Sequence, residues 1–191
     1  LLQLFIVEVL FTPRLITPDT WHKYVKLTNV DGAIKLMSGN QPVIFITGHN
    51  GNFELLGFTL ATVGYPLTAL ARPLDLPMVN DWLMGIRQAR GMNIITKFGA
   101  TEKLPRLIES GGHVAFIADQ NAGDKGLFVP FFGRLASAYK SIGLLAQRYN
   151  VPIVCGQARR THADHFKYEI SMSDIIYPQD WIDAPDPLYY I

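Results

Sequence analysis

The chain has 191 residues, 49% of them apolar and only 17% charged, with a formal net charge of +1. That length fits one α/β domain with a real core. The greasy balance favours contact with membrane or lipid, and the scattered basic residues exclude the electrostatic footprint of a nucleic-acid binder. The one cysteine, Cys155, lies in the apolar run 151–156, which excludes an intrachain disulfide framework or a cysteine-rich metal centre.

In chain order, Leu1 to Phe11 is apolar apart from Gln3 and Glu8. The run is shorter than the roughly 20 apolar residues that span a bilayer, and it lacks the basic leading segment of a signal peptide. It reads as the end of an amphipathic or anchoring helix, and the chain as one domain, residues 1–191, truncated at both ends. Pro13, Pro18 and Asp19 form a breaker-rich link. Tyr24 to Leu27 reads as a short strand and Val30 to Met37 as a helix stopped by Ser38-Gly39-Asn40. The run from Pro42 to Thr47 has no polar alternation, as expected of a central strand covered on both faces.

Asn52 to Val63 has helical spacing and ends at Gly64-Tyr65-Pro66. Leu67 to Ala71 is a strand that delivers Arg72-Pro73 to a loop, and Val79 to Arg90 is a helix carrying Arg87 and Arg90. Asn93 to Thr96 is predicted as strand, Thr101 to Ser110 as helix, and His113 to Ala118 as a strand ending at Asp119-Gln120. The segment 127–133 is apolar and broken by Pro130; Ser137 to Tyr149 is helical in pattern, Val151 to Gln157 a strand, and Phe166 to Met172 alternates like an edge strand. The tail from Tyr177 shows no closing element. Strands alternating with helices make an α/β fold with a mostly parallel central sheet flanked by helices. Ligands on such sheets bind outside the carboxyl ends of the strands, which places His49, Arg72 and Asp119 on one rim.

The chemistry gathers at Thr47-Gly48-His49-Asn50-Gly51-Asn52-Phe53-Glu54, between a buried strand and a helix. A histidine at a strand exit with a carboxylate in the next helical turn suits a general base and the group that orients it. Four further blocks follow: Ala71-Arg72-Pro73, Arg87 with Arg90-Gly91, Asp119-Gln120-Asn121, and Val129-Pro130-Phe131-Phe132-Gly133. In this order they resemble the lipid A biosynthesis (late) acyltransferases of the lysophospholipid acyltransferase superfamily, from about Val30 to Arg160.

The resemblance implies an acyltransferase-like fold and transfer of an acyl chain from an acyl carrier protein or coenzyme A thioester to a hydroxyl of a lipid or glycolipid, with no further cofactor and no metal. It implies His49 as catalytic base and Glu54 as its partner in the dyad. Asn50, Gly51, Asn52, Arg72, Pro73, Arg87, Arg90, Asp119 and Gln120 are expected to bind substrate. By the same analogy the parent protein sits on the cytoplasmic face of an inner membrane, with the acyl donor carrier, a lipid acceptor and the membrane surface as partners. The chain has no Gly-x-Ser-x-Gly elbow and no cysteine near the histidine, so a direct attack by an activated hydroxyl fits better than an acyl-enzyme.

Each assignment has a plainer rival. His49 and Glu54 can form a hydrogen-bonded tie between strand and helix, Arg87 and Arg90 can complement a helix end, and Asp119 can cap a turn. Phe128, Phe131 and Phe132 suit core packing as well as acyl-chain contact. At the level of function the rivals are a metal-dependent hydrolase using His49, Glu54, Asp119 and Asp124, a non-catalytic lipid-binding relative, and a glycolipid acyltransferase of the phosphatidylinositol-mannoside type.

Overall fold

Nine strands and eight α-helices are set out in the computed structural model, which describes residues 2–39, 41–65, 67–96 and 99–191. Leu1, Asn40 and Pro66, placed above in the first apolar run and in two helix stops, lie outside the described residues. The elements are α1 (Leu2–Leu15), β1 (Val25–Thr28), α2 (Asp31–Met37), β2 (Ile44–Thr47), α3 (Phe53–Thr62), β3 (Thr68–Ala71), α4 (Pro77–Gln88), β4 (Asn93–Thr96) and α5 (Ala100–Glu109). They continue with β5 (Val114–Ile117), β6 (Leu127–Phe131), β7 (Arg134–Ala138), α6 (Lys140–Tyr149), β8 (Ile153–Arg160), β9 (Tyr168–Ile176), α7 (Pro178–Trp181) and α8 (Pro187–Tyr190).

Seven strands form one sheet in the order β1-β9-β8-β2-β5-β3-β4, so the unalternating run at Pro42–Thr47 does supply its centre. Every pairing in that sheet is parallel except β8 with β9. Both faces are covered, and successive residues of one strand enter different cores. Phe45 and Val154 pack with Leu55, Phe58 and Met172, while Ile44 and Ile153 pack with Leu104, Ile108, Ile142 and Ala146. Side chains alternate across a strand, so burial on both faces is what removes the polar alternation from the sequence.

Three expectations change. The segment 127–133, read from sequence only as an apolar run broken by Pro130, is β6 and a turn, paired antiparallel with β7 in a separate two-stranded sheet. Ser137 and Ala138 therefore belong to β7, and α6 starts at Lys140. The alternating run near Phe166 becomes β9, which is not an edge but lies between β1 and β8. Its neighbour β1 is a strand, as expected, yet its four residues carry no sign of which partner they join. The tail does close, with α7 burying Trp181 and α8 following it. Among the described residues no helix is long and apolar enough to cross a membrane.

Candidate active site

β2 and β5 are parallel neighbours with Thr47 opposite Ile117, and the ladder runs one step further as Ala118 N donates to Thr47 O at 3.0 Å. His49 and Asp119 each stand two residues past that register pair, so the two strand exits deliver them side by side. The His49 ring Nδ1 lies 2.7 Å from Asp119 Oδ1, and the His49 amide donates to Asp119 Oδ2, also at 2.7 Å. An ionised carboxylate only accepts, so Nδ1 carries a proton, and in the neutral imidazole the lone pair is then on Nε2. Both side chains are a little over 40% exposed, at 44% and 43%. The Phe53 ring meets the imidazole edge-on, with centroids 5.2 Å apart. Partial burial pushes the Asp119 carboxyl up, but the hydrogen bonds from the His49 ring and amide and the imidazole charge outweigh it, leaving the pKa below its usual 3.8.

The loop between β2 and α3 is shaped by two glycines. A Cβ on Gly48 would stand 3.0 Å from Asp119 Oδ2, and one on Gly51, whose φ is +79°, would meet Ala158 O at 2.1 Å. Only glycine accepts that φ beside a backbone so close. Asn52 then caps α3: its Oδ1 accepts from Leu55 N at 2.9 Å, and its own amide donates to Ala158 O at 3.0 Å. Its Nδ2 donates at 3.1 Å to the buried Glu8 of α1. Glu8 also accepts from Tyr168 Oη and pairs with Arg160. Asn52, expected to touch substrate, is buried with its Oδ1 and Nδ2 both engaged inside the protein, contacts that hold the loop.

Glu54 does not partner His49. No hydrogen bond or ion pair joins them; Arg87 Nε of α4 donates to Glu54 Oε2 at 2.9 Å and to Oε1 at 3.2 Å, and Arg87 Nη2 also binds Oε1. The reason is rotational: Phe53 takes the face of the first α3 turn that meets the imidazole, and Glu54, one residue on, meets α4. Arg87 is thereby tied to Glu54 in forked geometry rather than left free for phosphate. Arg90 lies in the turn after α4, half-buried, with no hydrogen-bond partner for its Nε among the described residues. Arg72 and Pro73 leave the end of β3; Arg72 is exposed and 3.8 Å from the still more open Asp75. Asn50 Nδ2 donates to Gln157 Oε1 at 3.3 Å, and Gln120 is exposed next to Asp119. The set proposed for a metal is split up, and among the described residues no three His, Cys, Asp or Glu gather as a metal-holding group.

Two cavities lie near the His49–Asp119 pair, one reached through Thr47 and Phe53 and the other lined by Asp119 itself. One is almost wholly apolar, running from Thr47, Phe53, Glu54 and Arg87 past Gly57 to Met92. The other is polar and open, lined by Gly48, Asn50, Asp119, Gln157, Ser171 and Asp174 among others. Thr47 borders both, and its buried hydroxyl has no partner among the described residues. Gln157 is not singled out by the sequence, because a glutamine in a strand carries no motif, and Thr47 opens the motif without a role of its own. Glu8 did leave a trace, as a lone carboxylate in an apolar run, the mark of a buried charge with partners. Burial, and after it the Asp174 carboxylate, raise the Cys155 thiol above its usual pKa, which disfavours the thiolate a cysteine nucleophile needs.

Residues 3–180 match the family described as bacterial lipid A biosynthesis acyltransferase. The chain belongs to that family. For a bacterial lipid A biosynthesis acyltransferase the reaction class is acyl transfer, with an acyl donor and a lipid acceptor as its partners. No curated protein matches the chain.

Proposed function

We propose that the protein moves a fatty acyl chain from a carrier-protein or coenzyme A thioester to a hydroxyl of a lipid A precursor or related glycolipid, with His49 as general base. The observation that carries this reading is the double grip of Asp119 on the ring and amide of His49. In the neutral ring that grip puts the proton on Nδ1 and the lone pair on Nε2, and Nε2 has no protein partner among the described residues. Nε2 takes the acceptor's hydroxyl proton as the oxygen attacks the thioester carbonyl. The C–S bond then breaks, and the thiolate leaves with the proton held on the imidazolium. General-base help of this kind is worth about a hundredfold to ten-thousandfold.

Asp119 thus takes the orienting role that the sequence pattern suggested for Glu54, and the Glu54–Arg87 pair braces α3 against α4. The amides of Asn50 and Gly51 bind no protein acceptor among the described residues and suit the oxyanion. Arg72 and Arg90 are the arginines left for an acceptor phosphate. The apolar cavity suits the acyl chain and the polar one the acceptor. By family analogy the parent works on the cytoplasmic face of an inner membrane. The test is transfer from labelled acyl carrier protein and acyl coenzyme A to a panel of lipid A precursors, lysophospholipids and phosphoglycolipids. Transfer lost in His49→Ala supports the reading and names the acceptor, whereas equal transfer by parent and variant removes His49 as the base.

A further inference from the structure

The block Val129-Pro130-Phe131-Phe132-Gly133 is used neither for core packing nor for lining the apolar cavity beside His49. It forms the end of the β6–β7 hairpin, where Phe131 pairs with Arg134 across the two-residue turn Phe132-Gly133. Both turn residues have positive φ, 49° and 76°. Such turns favour asparagine or aspartate before glycine. A phenylalanine there is disfavoured by its backbone and, at 93% exposure, by water as well. Phe131 is 63% exposed and Leu135 70%, and the two phenylalanine rings meet edge-on at 4.7 Å. Nothing within the described protein covers this tip.

Apart from Asp124 at the foot of the hairpin, the charge around it is positive. From Lys125 to Ala163 the sequence contains no aspartate or glutamate, while Lys125, Arg134 and Lys140 are exposed at the base and tip of the hairpin. The hairpin also stands on the rim of the candidate site. Ala122 N donates to Ser137 O at 3.0 Å and Ser137 Oγ to Gly123 O at 2.6 Å, which ties β7 to the loop that leaves Asp119.

We propose that the β6–β7 tip is a wedge that inserts Phe131, Phe132 and Leu135 among the acyl chains of an anionic bilayer, with Arg134 and Lys140 at the head-group phosphates. Aromatic and aliphatic tips with flanking cations are held by apolar burial plus attraction to anionic lipid. A carboxylate-rich protein would satisfy the cations but would leave the turn's two aromatic rings unexplained. The proposal extends the lipid-acceptor reading above by setting the rim with His49 at the membrane surface.

The experiment uses the full chain carrying Phe132→Trp, mixed with vesicles of phosphatidylglycerol and brominated phosphatidylcholine that contain no acyl donor or acceptor. The added indole emission, taken as the difference from the parent, should shift to the blue and be quenched by bromines in the acyl region. Phe131→Ser with Phe132→Ser should weaken vesicle binding at least about tenfold, leaving thermal unfolding unchanged because the tip is exposed. An unquenched indole on vesicle-bound protein, or no vesicle binding by the parent, overturns the wedge. So does a shift produced by added acyl carrier protein and not by vesicles. Because no catalysis is read, this outcome is separate from loss or retention of transfer in His49→Ala.

Discussion

Two acid–base pairs stand within a few residues of each other, and their surroundings differ. His49–Asp119 lies at the open ends of β2 and β5, more than 40% exposed on both sides, with one ring nitrogen left unused. Glu54–Arg87 is largely buried between α3 and α4, with its oxygens taken by the guanidinium fork. Glu8–Arg160, with Tyr168 and Asn52 around it, belongs to the second kind. A half-open pair can exchange a proton with substrate, whereas a closed one can only hold elements together.

The comparison breaks most sharply at His49. His49→Ala should lower transfer about a hundredfold to ten-thousandfold while thermal unfolding stays close to the parent's. Asp119→Asn should give a loss approaching that size, by favouring the wrong tautomer, and mainly in kcat. Glu54→Gln should behave oppositely: removing one partner strands Arg87 in a buried place and costs about 3 kcal/mol of stability, read by denaturant unfolding. Should Glu54→Gln instead abolish transfer in a protein of unchanged stability, with Asp119→Asn active, the orienting role returns to Glu54.

That reversal of partners shows where sequence reading stops. The strand exits were legible, because runs such as Pro42–Thr47 and His113–Ala118 are apolar on both faces and end in polar residues. Which exits are neighbours was not. His49 and Asp119 are 70 positions apart and meet only because β5 pairs with β2, a choice made by tertiary packing and invisible to local periodicity. Spacing within the motif favoured Glu54, which is close in sequence but turned toward α4 by the helix's own rotation. The hairpin was hidden for another reason: Pro130 argues against a strand, yet is tolerated in a two-stranded sheet that has only edges.

A smaller effect sharpens the same division on the apolar side. Gly57 lines the cavity beside Glu54, and a Cβ there would meet Met92 Cε at 2.6 Å, the end of a flexible side chain. Gly57→Val should therefore fill the cavity partway, and neither His49 nor Asp119 lines that cavity. Competition between acyl donors of different length should show kcat/KM for the longest accepted chain falling about tenfold relative to shorter ones. A uniform loss across lengths would place the chain elsewhere.

The smallest expected effect concerns acid. The Asp119 pKa is held below its unfolded value, so the stability this pair contributes is fully present above the unfolded carboxyl pKa and is lost as pH falls through the folded one. The melting-temperature gap between parent and Asp119→Asn should narrow as the solution is acidified through the range in which the Asp119 carboxylate protonates. Because both groups are half-open, the gap is small and shrinks with salt. The buried pairs are shielded from salt, so Glu54→Gln should show a gap that salt hardly changes. A salt-insensitive gap for Asp119→Asn would mean that this pair, too, is closed to solvent, and it would then lack the access to substrate that proton transfer needs.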